Sequence, residues 1–333
     1  MSRLRAMRNR AGLTQADLAA IAGVSRQLVG AVEAGNHLPR VDSAIALAAA
    51  LGVDVAWLFP TSSDAVDVTT GLRPPERSMV RVGTVGDLTV TAPARTGSDG
   101  WEMADGEITG GDLEVFGHLV PGVVVCGCEP GLQVLEGILR TGGVAAVAVL
   151  GSNAVALKAI EEGRAHAAVI HGPPEGLTAL AVEVDVDRYR LARWRVGLAA
   201  PPHPGSHWWE PALGGRSPVI QRESGAGVQA SFEAALMVDG LEVPGPRVKG
   251  HLEAVRLALG SGIPALTIEP AANALSAPFH PLTEHDAEIW VARPWARDRT
   301  VIEALDVISS KRFLRRLEMI GGYDLSRAGE RVA

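Results

Sequence analysis

The side chains best suited to chemistry in this chain fall into two groups. The first is Ser25-Arg26-Gln27, inside the stretch TQADLAAIAGVSRQLVGAVEAG at 14–35. Ser25 is a natural helix N-cap, which puts Arg26 and Gln27 in the first turn behind it. Both side chains match base edges in a DNA major groove, Arg bonding guanine bidentately and Gln bonding adenine. Gln15 at the head of the preceding helix, with Asn36 and Arg40 in the string EAGNHLPR at 33–40, completes the candidate DNA contacts.

The second group is dispersed along the chain: Cys126, Gly127 and Cys128, then Ser152 and Asn153, then Arg222, Ser224 and Gly225. Each set occupies a short loop leading from an expected strand into an expected helix. Backbone N–H groups and helix dipoles at such loops converge on the space outside the strand ends and favour an anion there. The serine hydroxyls, the Asn153 amide and the Arg222 charge add donors of the same sense. Each serine also reads as a plain N-cap, and Arg222 as a surface ion pair with Glu223 or another acid. His171 and His251, expected beside loops facing the same cleft, join Cys126 and Cys128 as thiolate and imidazole donors suited to Zn or Cu(I). Against that metal reading stands ordinary packing of a Cys-x-Cys pair and of structural histidines.

The elements that position the first group are readable. Ala19 is small where two helices must cross, Gly23 falls at a turn that needs a positive φ, and Val29 and Val32 recur at helical spacing on a buried face. A first helix is expected over 3–11 and a fourth over 42–51 with Ile45, Leu47, Ala48 and Leu51 inward, and a short closing turn over 55–59. This five-helix pattern over roughly the first 60 residues resembles the phage repressor and Cro (XRE) class of helix-turn-helix regulators. Residues 1–60 carry six Arg against four acids, so a chain of net charge −7 has a basic front and an acidic remainder that repels DNA.

Composition limits the rest. At 333 residues and 47% hydrophobic, the chain has room for a small domain and a large core. No apolar run reaches the roughly 18 residues of a membrane span, and the Arg-rich start leads into a helical bundle rather than a signal peptide. A cytoplasmic location is expected, with the two cysteines kept as thiols because they are too close for an ordinary bridge. Lys occurs only at 158, 249 and 311, beside 28 Arg, which reflects base composition rather than mechanism.

Residues 60–78 read as a linker, and 79–94 as a hairpin turning at Val85-Gly86-Asp87. From about 120 the pattern is strand, tight loop, helix, repeated: strands at 120–127, 144–153 and 165–172, helices at 129–140 and 154–164. A second set spans 217–236 and 247–275, extended crossings are expected within 187–202 and 279–295, and a closing helix over 300–317. The loop PPHPGSHWWEP at 201–211 reads as a lid, a dimer contact or a shielded cluster.

Across 118–325, the strings CGCEPGLQVL, LGSNAVALKAIEEGRAHAAVIHG, ARWRVGLAAPP, QRESGAG, KGHLEAVRLAL and GGYDLS resemble, in order, the type II periplasmic-binding-protein-like (molybdate-binding-type) domain found fused to helix-turn-helix modules. The resemblance implies an all-α helix-turn-helix bundle (1–60), an adaptor (61–117) and a two-lobed α/β clamshell (118–325). It further implies a ligand-responsive repressor that acts on operator DNA as a homodimer and senses a small anion such as molybdate or tungstate. Two departures weaken the molybdate part: the first loop reads Cys-Gly-Cys-Glu where relatives carry Gly-Ser or Gly-Cys before Asp, and Glu269 stands in IPALTIEPAANA (263–274). The alternatives are a large domain that serves only as an oligomerisation scaffold, or the Cys/His soft-metal sensor. No nucleophile elbow, Walker loop or HExxH string is present, and Cys128 with His171 lacks a third residue nameable from spacing. Neither an enzyme nor a cofactor is expected.

Overall fold

A computed structural model describes residues 3–34, 37, 39–53, 55–59, 65–94, 96–97, 100–101, 103–117, 120–237 and 240–332. Two compact units are present: residues 1–66 with 72–118, and residues 67–71 with 119–333.

The first unit opens with helices α1 (Arg3–Arg10), α2 (Gln15–Ala22), α3 (Arg26–Glu33), α4 (Val41–Leu51) and α5 (Val55–Leu58). Thr14 and Asp17 form a reciprocal capping box at the head of α2. Gly23 ends that helix at φ 65°, a left-handed conformation that costs glycine nothing. Ser25 then starts α3, its Oγ accepting from Leu28 N–H at 3.1 Å. Leu4, Leu18, Val29, Val32, Leu47, Ala48 and Leu58 form the core of this bundle; each large apolar side chain contributes about 2 kcal/mol by leaving water. One expected core position fails: Ile45 is 52% exposed, and Ala44 points inward in its place.

Along the chain follow strands β1 (Val66–Asp67), β2 (Ser78–Val85), β3 (Leu88–Pro93), β4 (Thr96–Gly97), β5 (Gly100–Trp101), β6 (Gly106–Thr109) and β7 (Asp112–Val115). The expected hairpin is β2–β3, paired from Val80↔Pro93 to Val85↔Leu88. It belongs to a five-stranded sheet of order β1-β3-β2-β6-β7, whose second hairpin the sequence reading did not anticipate.

In the second unit the first lobe is built from β8 (Val123–Gly127), α6 (Leu132–Thr141), β9 (Ala146–Leu150), α7 (Asn153–Glu161), β10 (Ala167–Gly172) and α8 (Pro174–Ala179). Its strands run parallel in the order β9-β8-β10. A long strand, β11 (Val186–Ala199), leads to α9 (Glu210–Leu213) and the second lobe: β12 (Gln221–Arg222), α10 (Gly227–Ala234), β13 (Arg247–Val248), α11 (His251–Ser261), β14 (Ala265–Ile268) and α12 (Glu269–Ala274). Here β13 is parallel to β12, and Ile220 bridges in parallel to Ala265 of β14. The chain returns by β15 (Phe279–Ala292) and ends with α13 (Arg299–Ile308), α14 (Lys311–Ile320) and β16 (Tyr323–Asp324).

Both lobes therefore share one strand order, second-first-third, with an antiparallel crossing strand at the edge: β15 beside β10, and β11 beside β14. The crossings β11 and β15 pair with each other from Val186↔Ala292 to Ala199↔Phe279. This is the two-lobed α/β arrangement with two crossings that the sequence predicts. Two local expectations need correction. Helix α6 starts at Leu132 rather than 129, because Glu129 folds back to accept from Gly131 N–H at 2.7 Å. The closing helix is two helices, since Ser310 caps a new start by accepting from Phe313 N–H.

Candidate functional site

The ends of the parallel strands bring four segments together. Cys128 follows β8 and His171 lies near the end of β10, while His251 opens α11 and His285 sits within β15. His171 Nε2 lies 2.7 Å from Cys128 Sγ, and its Nδ1 lies 3.0 Å from His285 Nδ1. His285 Nε2 is in turn 2.8 Å from Ser231 Oγ on α10, which also reaches Gly227 O. One set of tautomers satisfies the whole row: Cys128 S–H donates to His171, His171 Nδ1–H to His285, His285 Nε2–H to Ser231, and Ser231 to Gly227 O. The network assigns these protons. Asn153 fixes His171 through its backbone, donating to His171 O at 2.6 Å and accepting from His171 N–H at 3.2 Å.

The second lobe contributes a buried cation. Arg222 is 1% exposed; its Nε donates to Val248 O, one Nη to Lys249 O and the other to His251 Nδ1 at 2.7 Å. Accepting that bond leaves His251 neutral. Thr267 Oγ1 donates to His251 O at 3.2 Å and holds the head of α11. Cys128, His171 and His251 offer one ligand atom each, all within 4.8 Å of one another. Beside them lies a pocket of about 370 Å³, lined from the first lobe by Asn153, His171 and Leu177, from the second by Gly227 and Ser231, and by Thr283 of β15.

Burial sets the protonation states. Desolvation pushes the Cys128 thiol up to about 12, against the pull of Arg222. It also holds His171 and His251 well below the usual imidazole range, with neighbouring positive groups adding to the effect, and brings His285 to about 4. At neutral pH the cluster is an uncharged thiol and three uncharged imidazoles beside one guanidinium.

In the helical bundle, Arg26 and Gln27 are exposed on the first turn of α3, and Arg40 is exposed at the head of α4. Their support is an ion pair inside the bundle. Arg8 donates to Glu33 from Nε at 2.5 Å and Nη2 at 3.1 Å, and from Nη1 to Leu13 O at 2.7 Å. Gln15 Nε2 donates to the same carboxylate at 2.9 Å. Burial opposes the Glu33 charge, but bonds from Arg8 and Gln15 hold its pKa below the ordinary value. One carboxylate thereby ties α1, α2 and α3 together.

Residues 4–58 match the helix-turn-helix family model. The N-terminal bundle is a DNA-binding helix-turn-helix domain of the XRE type. Over the larger unit the chain is similar in fold to solved structures at low identity. An ABC-type phosphate transport receptor from Vibrio cholerae is 11% identical, with 61% of this chain and 99% of that one covered and a TM-score of 0.43. The tungstate ABC transporter from Geobacter sulfurreducens is 14% identical, covering 59% and 97%, TM-score 0.45. The effector binding domain of a BenM variant is 10% identical, covering 61% and 98%, TM-score 0.45. No curated protein matches the chain.

Within the helix-turn-helix domain, Ser25, Arg26, Gln27 and Arg40 stand where the sequence places them, and Asn36 lies outside the described residues. Gln15 is half-buried, and its Nε2 donates to Glu33, which ties α2 to α3. In the larger unit, Cys128, His171, His251 and Arg222 converge as expected, and Asn153 supports them. Cys126 does not join them. It is fully buried within β8, and a Cβ on Gly151 would stand 3.1 Å from its sulfur, so it is a packing residue with its thiol pushed up to about 12 by burial. Gly127 is required by strand packing, since a Cβ there would sit 2.6 Å from Val169 O. Ser152 caps α7, accepting from Val155 N–H at 3.5 Å, and Ser224 and Gly225 are exposed and outside the cluster.

Arg222 is buried, not a surface ion pair with Glu223. Glu269 pairs bidentately with Arg195, so its charge is neutralised. Trp209 of the 201–211 loop stacks on His280 at 4.1 Å, which favours the shielded-cluster reading. Sequence reasoning missed His285 and Ser231, because a histidine inside a strand and a serine inside a helix give no local sign that they face one another.

Proposed function

We propose that the chain is a cytoplasmic, ligand-responsive transcription regulator, a homodimeric repressor that binds a small anion between the two lobes of its larger unit. One observation carries the anion reading: Arg222 is almost wholly buried, and among the described residues it forms no ion pair with a carboxylate. Glu223 and Glu253 attract it without bonding it, and a bound anion in direct contact further offsets the cost of burying its charge. Helix α10, with no side-chain cap at Ala226, leaves N–H donors beside the same pocket. Molybdate and tungstate are oxyanions of the charge a guanidinium attracts.

The site draws residues from both lobes, so a ligand that bridges them favours their closure. Closure changes DNA affinity only by the ligand's differential affinity for the two states, typically about 1–3 kcal/mol. Two helix-turn-helix domains of a dimer read half-sites about one helical turn apart. The chemistry supports binding rather than turnover, because a thiol and imidazole held neutral by burial make a poor nucleophile pair.

Thermal unfolding of the full chain against molybdate, tungstate, sulfate, phosphate and small carboxylates tests the reading. A selective anion raises stability by about 2.7 kcal/mol at a hundredfold excess over its Kd, and the shift disappears in Arg222→Met. No shift with any anion removes the anion-sensor reading and leaves an oligomerisation scaffold, a soft-metal sensor or a sensor of an organic ligand.

A further inference from the structure

The Cys128, His171 and His251 cluster goes beyond a generic anion pocket. We propose that these three residues form a binding site for a single monovalent soft metal ion, Cu(I), beside the interlobe pocket. The donors are one thiol sulfur and two imidazole nitrogens, all within 4.8 Å of one another, the two histidines buried and Cys128 half-buried. Thiolate is a soft ligand and imidazole suits copper. Typical metal–sulfur and metal–nitrogen bonds of about 2.3 and 2.0 Å set such atoms about 3.6 Å apart. The 2.7 Å Cys128–His171 hydrogen bond therefore has to open by under about 1 Å, a side-chain adjustment.

The cluster contains three ligands among the described residues, too few for a closed four-ligand zinc site but enough for a zinc ion with an open position. Charge selects the monovalent ion. On loading, the Cys128 proton leaves to solvent as the metal–sulfur bond forms, so Cu(I) with thiolate is neutral. Zn(II) with the same thiolate leaves a net positive centre against the buried Arg222 guanidinium, which lies 2.7 Å from His251. Binding through His251 Nδ1 takes the place of that Arg222 contact.

The surroundings are already arranged for a ligand imidazole. His171 Nε2 faces Cys128, while the opposite nitrogen is held by His285, itself held by Ser231. A partner on the far nitrogen fixes the tautomer and orientation of a metal-binding histidine. Because Cys128 and His171 belong to the first lobe and His251 to the second, a bound ion links the lobes directly.

The test is anaerobic titration of the reduced full chain with Cu(I) against a colorimetric Cu(I) chelator. The expected result is one ion per chain, weakened more than about a hundredfold in Cys128→Ser and His251→Gln, about ten- to a hundredfold in His285→Phe, and unchanged in Cys126→Ser. X-ray absorption of the loaded wild-type protein should show one sulfur and two nitrogen neighbours, a readout independent of how the variants fold. Failure to retain Cu(I) against the chelator, a copper site without sulfur, undiminished affinity in folded Cys128→Ser, or preferential loading of Zn(II) overturns the proposal. No DNA or anion enters these measurements, so they stand or fall apart from the regulator reading.

Discussion

Tyr323 donates its hydroxyl to Glu129 Oε1 at 2.5 Å, joining the last strand of the chain to the loop that carries Cys128 across 194 residues. Glu129 is fully buried, and its second oxygen has no hydrogen-bond partner among the described residues. Desolvation pushes its pKa up to about 7 from an ordinary 4.5, against the hydrogen bonds from Tyr323 and Gly131. The folded protein thus holds this proton more tightly than the unfolded chain. The resulting stabilisation is complete below about pH 4.5 and is lost as pH rises through 7, a change of about 3 kcal/mol. Glu129→Gln should remove this slope, so that its stability relative to wild type increases between pH 4.5 and 8 in urea unfolding. A difference that is flat with pH refutes the assignment. The slope must be read as a difference between proteins, because His166 and His285, held near 4 by burial, act in the opposite sense: their contribution is present above about 6.5 and lost as pH falls through 4.

Replacing Arg26 and Gln27 with Ala should abolish sequence-specific DNA binding while leaving the unfolding midpoint within a degree or two, since both are exposed. Ser25→Ala should instead cost about 1 kcal/mol of stability through loss of the α3 cap. Fluorescence anisotropy on operator and scrambled DNA, paired with calorimetry, separates the two effects. Tight, specific binding by the double variant would show that α3 is not the reading helix.

The Arg8–Glu33 pair should be strongly non-additive. Removing one partner, as in Arg8→Met, strands a charge inside the helix-turn-helix core and costs about 3 kcal/mol, whereas Arg8→Met with Glu33→Leu recovers much of that loss. Unfolding of both variants in denaturant measures the coupling. Equal losses adding across the pair would mean that the two side chains do not depend on each other.

Gly127→Ala tests the packing assignment of a residue first read as a ligand contact. The new methyl would meet Val169 O at 2.6 Å and Val169 Cβ at 2.7 Å, so β8 and β10 must part. A destabilisation of about 1–3 kcal/mol is expected, seen as a lower unfolding midpoint of the larger unit. Unaltered stability would return Gly127 to the candidate ligand contacts.

Much of this architecture obeys local rules and was therefore legible. The Ser25 cap, the left-handed Gly23, the small Ala19 and the spacing of Val29 and Val32 specify the helix-turn-helix from contacts within a few residues. The alternation of short apolar strands with helices likewise announced two α/β lobes and their crossings. Local rules are weaker at element ends and on nearly apolar helices. Glu129 delayed the start of α6, Ser310 divided the last helix, and in Ala-rich α4 either Ala44 or Ile45 fitted the inward position.

The sequence by itself determined which residue types stand in the loops after the strands, and hence that thiol, imidazole and guanidinium chemistry is available. Only the tertiary structure decided which of them meet. Cys126 and Cys128 are two residues apart, yet one is sealed in the sheet and the other faces His171, because the chain leaves β8 between them. His171, His251 and His285 come from three separate elements, and Gln15 and Arg222 were turned inward by partners 18 and 29 residues away. The physical reason is the range of the interactions: caps and periodicity are written in neighbouring residues, whereas the convergence of distant side chains follows from closing long loops around a shared core.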